Sequence, residues 1–205
     1  MIMKIFCIGQ NKTGTTSLTQ ALEKHGYKMG SQREGELLCR DWMDGKFQSI
    51  VEFAKTADAF QDRPFYMGDT YKYLDKNFPG SKFILSVRDS PDAWYDSLIR
   101  FHSRMFGAGK KPTARQFKRA GYCYTGWIYD VVTNLYGTTE EDVYNKDKLI
   151  DYYITYNTNV IDYFKDRPDD LLLINLKDED GYGKFCEFLN QEPKLKTFPH
   201  LNRTK

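Results

Sequence analysis

An apolar run over residues 3–8 delivers the chain into Gly9-Gln10-Asn11-Lys12-Thr13-Gly14-Thr15-Thr16-Ser17-Leu18, and helical periodicity begins directly beyond it. A glycine-bounded turn between a strand and a helix aims backbone N–H groups at one point, with the positive end of the helix dipole behind them. That is a seat for a phosphate or a related anion. The pattern G-x-x-x-x-G-K-[ST] is nearly met by Gly9 and Gly14, but Thr15 stands where the phosphate-gripping lysine belongs. The lysine is instead Lys12, inside the loop, and Thr15 and Thr16 supply two hydroxyls at the helix start. A plain strand-to-helix turn would need the glycines alone, so the lysine and paired threonines mark the anion seat.

The rest of the chain reads as strands alternating with helices. Continuous apolar runs mark strands at residues 3–8, 82–87 and 171–176, with shorter ones at 27–29 and 58–61. Apolar residues at helical spacing follow Thr15, with Leu18, Ala21, Leu22 and His25 on one face, and Gly26 as a stop. His25 then belongs to a helix end, as a cap or packing residue. Residues 34–56 read as a polar helical region. Asp69 suits the N-cap of a helix that Pro79-Gly80 ends. Asp89-Ser90-Pro91 caps another, and residues 146–166 and 183–189 give the last two. With no repeat or linker, 205 residues read as one domain, 1–205. The expected fold is an α/β three-layer sandwich with a mostly parallel central sheet of about five strands.

Charge does not point to nucleic acid. Lys and Arg number 30 against 28 Asp and Glu, so anion binding has to be local. The basic residues are uneven, however: residues 94–136 carry seven Lys or Arg against two acids, a net +5, and ten aromatic side chains. We read 94–145 as a helical, aromatic and basic region, either an acceptor-side wall or a helical cover with a solvated basic face. Cys7, Cys39, Cys123 and Cys186 show no metal-ligand spacing and are read as reduced. No apolar run approaches a membrane span, and a strand begins within three residues of the N-terminus, so the expected location is the cytoplasm.

A second site lies at the end of the strand over 82–87. Arg88 follows it, and on the next helix Trp94, Ser97, Leu98 and Phe101 share one face. A buried Ser97 hydroxyl needs a partner, either its own preceding turn or an anion held jointly with Arg88.

Lys12-Thr13-Gly14-Thr15-Thr16-Ser17-Leu18 after a strand resembles the 5′-phosphosulfate loop of sulfotransferases that use 3′-phosphoadenosine 5′-phosphosulfate (PAPS). The stretch Lys82 to Ser97, with Arg88, Pro91 and Trp94-Tyr95, is similar to that family's 3′-phosphate site, and the two occur in family order. Arginine and serine are nine apart here, against eight in better-known cytosolic members. The tail through Phe198-Pro199-His200-Leu201-Asn202-Arg203 resembles small bacterial and fungal members, which adds Arg203 as a nucleotide contact. The resemblance implies a P-loop-like fold, PAPS as donor, PAP as product, and Asn11, Lys12, Thr13, Gly14, Thr15, Thr16, Ser17, Arg88 and Ser97 as the binding residues. It implies no metal.

For catalysis, Lys12 is the expected stabiliser of charge on the leaving phosphate. Asp62, after the third strand, occupies the region where the family places its base, and its other reading is a salt bridge to Arg63 or a loop cap. His102, one turn beyond Ser97, is the alternative base. The acceptor is a small molecule, glycan or peptide that the sequence does not identify, and oligomeric state is not legible. A P-loop nucleotide kinase or NTPase, and a non-catalytic nucleotide- or anion-binding protein, are the competing functions.

Overall fold

A computed structural model of the chain describes residues 3–199. It forms two compact units, one ending at Val87 and resuming at Asn159, the other Arg88–Thr158. In chain order the elements are β1 (Ile5–Cys7), α1 (Thr15–Lys24), α2 (Gln32–Leu37), α3 (Cys39–Met43), α4 (Phe47–Phe53), β2 (Ala59–Gln61), α5 (Thr70–Asn77), β3 (Lys82–Val87), α6 (Pro91–Phe106), α7 (Ala114–Arg119), α8 (Trp127–Tyr136), α9 (Lys146–Phe164), β4 (Leu171–Asn175) and α10 (Gly181–Phe188).

The first unit is built on a sheet of order β2-β1-β3-β4, with every pair parallel. Side chains alternate across a strand, so each strand feeds two cores. Ile5, Cys7, Ala59, Ile84 and Ile174 face α1 and α10, meeting Leu18, Ala21, Leu22, Phe185 and Cys186. On the opposite face Phe6 lies 5.9 Å from Phe60, 5.4 Å from Phe83 and 6.0 Å from Phe65 between ring centroids, and Phe83 is 4.8 Å from Phe164 at the end of α9. Apolar helices on both faces of a parallel sheet give the three-layer α/β sandwich, and the buried strands explain their continuous apolar runs.

Four strands, not five, form the sheet among the described residues. Residues 27–29 contribute a single parallel bridge, Met29 to Ala59, with Gly30 N–H donating to Ala59 carbonyl at 2.8 Å. Gly30 lies against the Phe60 ring, which a side chain at this position would meet at 2.3 Å. The polar stretch read as one helical region is three short helices, α2 to α4. Gly45, at φ 72, separates the last two. Asp69 is the N-cap of α5, but its side chain makes no capping bond and pairs with Lys72 at 3.0 Å. None of the four cysteines forms a disulfide among the described residues, and Cys7, Cys39 and Cys186 are buried.

The second unit is helical. Trp94 and Trp127 are buried, with Trp94 stacked on Tyr153 at 4.6 Å and 18°. His102, Phe106, Phe117 and Tyr144 form a cluster of rings 5.5–5.8 Å apart. Much of the aromatic excess read over 94–136 is therefore packing. No described helix is long and apolar enough to cross a membrane.

Candidate active site

The carboxyl ends of parallel strands are where such sheets bind ligands. β1 and β3 are neighbours there, with Cys7 opposite Ile84 and Ile8 N–H donating to Ile84 carbonyl at 2.9 Å. The loop leaving β1 is fastened to β3. Thr13 Oγ1 donates to Gln10 carbonyl at 2.6 Å and lies 2.6 Å from Ser86 Oγ, and both side chains are buried. Gly9 permits this approach, since a Cβ there would sit 2.2 Å from Ser86 Oγ and 2.5 Å from its carbonyl oxygen.

Lys12 turns the loop in the left-handed region at φ 71, and Gly14 does so at φ 102 as the N-cap of α1. The N–H groups of Ser17 and Leu18 both donate to Gly14 carbonyl, at 2.9 and 3.1 Å. Those of Gly14, Thr15 and Thr16 have no acceptor among the described residues. The first turn of α1 carries neither a capping side chain nor an acid. Unsatisfied donors at the positive end of a ten-residue helix, with Lys12 in the same loop, are an arrangement that can receive an anion. Asn11, Thr13, Thr15 and Ser17 are buried in this loop and turn, Lys12 is half-buried and Thr16 is exposed.

Arg88, directly after β3, has its backbone N–H on Tyr153 Oη at 3.0 Å, and its Nη2 donates to Ser97 Oγ at 3.3 Å. Ser97 is buried, and its partner is therefore the arginine rather than the preceding turn of α6. Between Arg88 and α6, Ser90 takes extended backbone at φ −156 and accepts from Ala93 N–H at 3.1 Å as the N-cap, with Pro91 at the first turn. Burial lowers the Arg88 pKa from its usual value, and neighbouring Asp89 opposes that shift. The guanidinium remains a cation at neutral pH.

Asp62 follows β2 in the left-handed region at φ 64. Its Oδ1 accepts Arg63 N–H at 2.8 Å and lies 3.9 Å from Arg63 Nη1, while Oδ2 has no partner among the described residues. His102 is buried, its Nδ1 2.9 Å from Tyr144 Oη, inside the aromatic cluster of the second unit. Arg203 lies outside the described residues. Three supporting residues carry no sequence signal of their own: Ser86, which holds the loop; Tyr153, which holds Arg88; and Leu176, whose Cδ2 would lie 2.7 Å from any Cβ at Gly14.

A parallel α/β sandwich whose first strand opens into a glycine-bounded anion seat at a helix N-terminus defines a P-loop-like protein. A family model described as a sulfotransferase domain matches residues 4–205, and the chain belongs to that family. It is thus a transferase of the sulfuryl-transfer class. No curated protein matches the chain in sequence comparison.

Proposed function

We propose that the chain transfers a sulfuryl group from PAPS to a hydroxyl or amine of an acceptor. The observation that carries this is the loop of residues 9–17. It presents unsatisfied N–H groups, a lysine and two threonines, with Thr15 in place of the lysine that a nucleoside triphosphate site would use. These residues would hold the 5′-phosphosulfate end of the donor, and Lys12 would offset charge that develops on the leaving phosphate. Arg88 and Ser97 would bind the 3′-phosphate, the arginine bidentately. A sulfuryl group carries less charge than a phosphoryl group, so Lys12 and the backbone donors can serve without a metal.

Asp62 is the base we propose, because its Oδ2 is unpartnered among the described residues while Oδ1 is anchored by Arg63. His102 is the weaker candidate, being enclosed by rings and bonded to Tyr144. The acceptor class is a small molecule, glycan or peptide, and the free cysteines fit a reducing cytoplasmic setting.

The deciding experiment needs no acceptor. PAP, without metal, should raise Tm well above the shift given by Mg-ATP. A ligand at ~100 times its Kd adds about 2.7 kcal/mol to stability. Each kcal/mol moves Tm by roughly 2–4 °C for a chain of this size. A larger shift with Mg-ATP, abolished by chelator, would favour a nucleotide kinase. PAP binding without turnover on any phenol, alcohol or amine would leave a nucleotide-binding protein.

A further inference from the structure

We propose that a groove in the second unit, formed where α6 and α7 end, binds an aromatic organic anion, an aryl sulfate or aryl carboxylate. The groove encloses about 390 Å³, the size of a small-molecule site, and is lined by Met105, Phe106, Gln116, Arg119 and Tyr122 with the backbone of Ala120 and Gly121. Its lining contains no acid.

The apolar part of this lining is held in place while open to solvent. Phe106 packs edge-on against Phe117 at 5.6 Å, and Tyr122 lies 5.1 Å from buried Trp127. Met105 and Tyr122 are 51% and 40% exposed, so the apolar wall stands open beside the groove's polar groups.

The polar part consists of donors. Gln116 closes the capping box of α7: its Oε1 accepts from Thr113 N–H at 2.8 Å and Thr113 Oγ1 at 3.1 Å. The oxygen is thereby occupied, and the Nε2 hydrogens have no acceptor among the described residues. Arg119, three residues on, is a cation without an ion pair or hydrogen bond among those residues, and so are the side chains of Arg104, Lys110 and Arg115. Lys118 and Arg119 both lie in the last turn of α7, and Lys118 is paired with Glu140, which leaves Arg119 as the cation of the groove's lining without an ion pair among the described residues. Asp130 is likewise engaged, accepting from Tyr124 Oη at 2.9 Å.

A ring fits the Met105, Phe106 and Tyr122 wall, and an anionic oxygen cluster fits Arg119 with the Gln116 amide. Neither half alone accounts for the site: inorganic sulfate would leave the rings exposed, and a neutral phenol would leave the guanidinium unmatched. The inference requires no turnover, so it stands apart from the donor assignment above.

The test is calorimetric titration of the full chain with naphthyl sulfate, naphthoate, naphthol and inorganic sulfate. Naphthyl sulfate or naphthoate should bind, and naphthol and inorganic sulfate should bind at least about tenfold more weakly, the scale of one charge-assisted contact. Preference between the two anions tells a sulfated product from a carboxylate ligand. Arg119→Ala and Tyr122→Ala, both exposed and expected to fold, should each weaken binding about tenfold, and Lys12→Ala should leave it unchanged. Unchanged binding in both groove variants overturns the proposal. So does a loss that appears with Lys12→Ala instead, because the anion would then sit on the phosphate loop.

Discussion

Arg88 Nη2 donates to Ser97 Oγ at 3.3 Å, nine residues apart, so one buried hydroxyl orients the guanidinium that follows β3. If this pair reads the 3′-phosphate, Arg88→Ala should weaken PAP binding by about tenfold or more. It should hardly alter binding of the analogue without a 3′-phosphate. Ser97→Ala should show a smaller loss of the same selective kind. Equal losses for both ligands would remove the pair from 3′-phosphate recognition.

Lys12 is held at φ 71 in the anion loop by the loop's own fastening to β3. Lys12→Ala should lower kcat by roughly 10²-fold or more, as loss of one preorganised charge donor does, with Tm little changed. Steady-state kinetics with saturating donor checks this, and near-normal turnover would exclude a catalytic role.

Asp62→Asn should abolish transfer to hydroxyl acceptors while PAP affinity stays near that of the parent. His102→Ala should instead lower stability, because it opens a space among Phe106, Phe117 and Tyr144. Should His102→Ala lose activity with its Tm intact while Asp62→Asn stays active, the base assignment is to be exchanged.

Gly9→Ala should cost stability on the scale of an overpacked core, about 1–3 kcal/mol. A Cβ would fall 2.5 Å from Ser86 O and 2.7 Å from Ser86 N as well as 2.2 Å from its Oγ. Adding Ser86→Ala relieves only the Oγ, so the double variant should recover little in urea denaturation. Full recovery would show that the backbone approach is not limiting.

His25, at the C-cap of α1, is bonded to Tyr182 Oη at 2.9 Å and lies 3.7 Å from Cys186 Sγ. Burial, and secondarily the charge of Lys194, lower its pKa from 6.5, while a hydrogen bond with Gln191 opposes them. The unfolded chain therefore binds the proton first. Stability from this group is present above pH 6.5 and is lost as pH falls from there through the lowered folded value. Urea midpoints between pH 8 and pH 5 should fall less steeply in His25→Gln than in the parent, and parallel curves would rule His25 out as the cause.

The candidate site reads in order along the chain because its proposed chemistry is local. A loop proposed to hold phosphate needs a strand, two glycines and a helix start within ten residues, and each leaves a residue-level signature from Gly9 to Leu18. The same holds for Arg88 and the Ser90-Pro91 cap. Alternating apolar runs likewise determined a parallel α/β sandwich, since buried strands and amphipathic helices have different periods. The tertiary structure alone decided the rest. That residues 27–29 form one bridge to Ala59 rather than a strand is a matter of pairing across the sheet, which their short apolar pattern does not reveal. That Ser97 bonds Arg88 rather than its own helix is a contact nine residues apart, which the helical spacing alone leaves open. Ser86, Tyr153 and Leu176 meet Thr13, Arg88 and Gly14 from far along the chain, through contacts set by strand order and packing. A hydroxyl on a strand or a leucine after one looks the same in sequence whether or not a loop folds onto it.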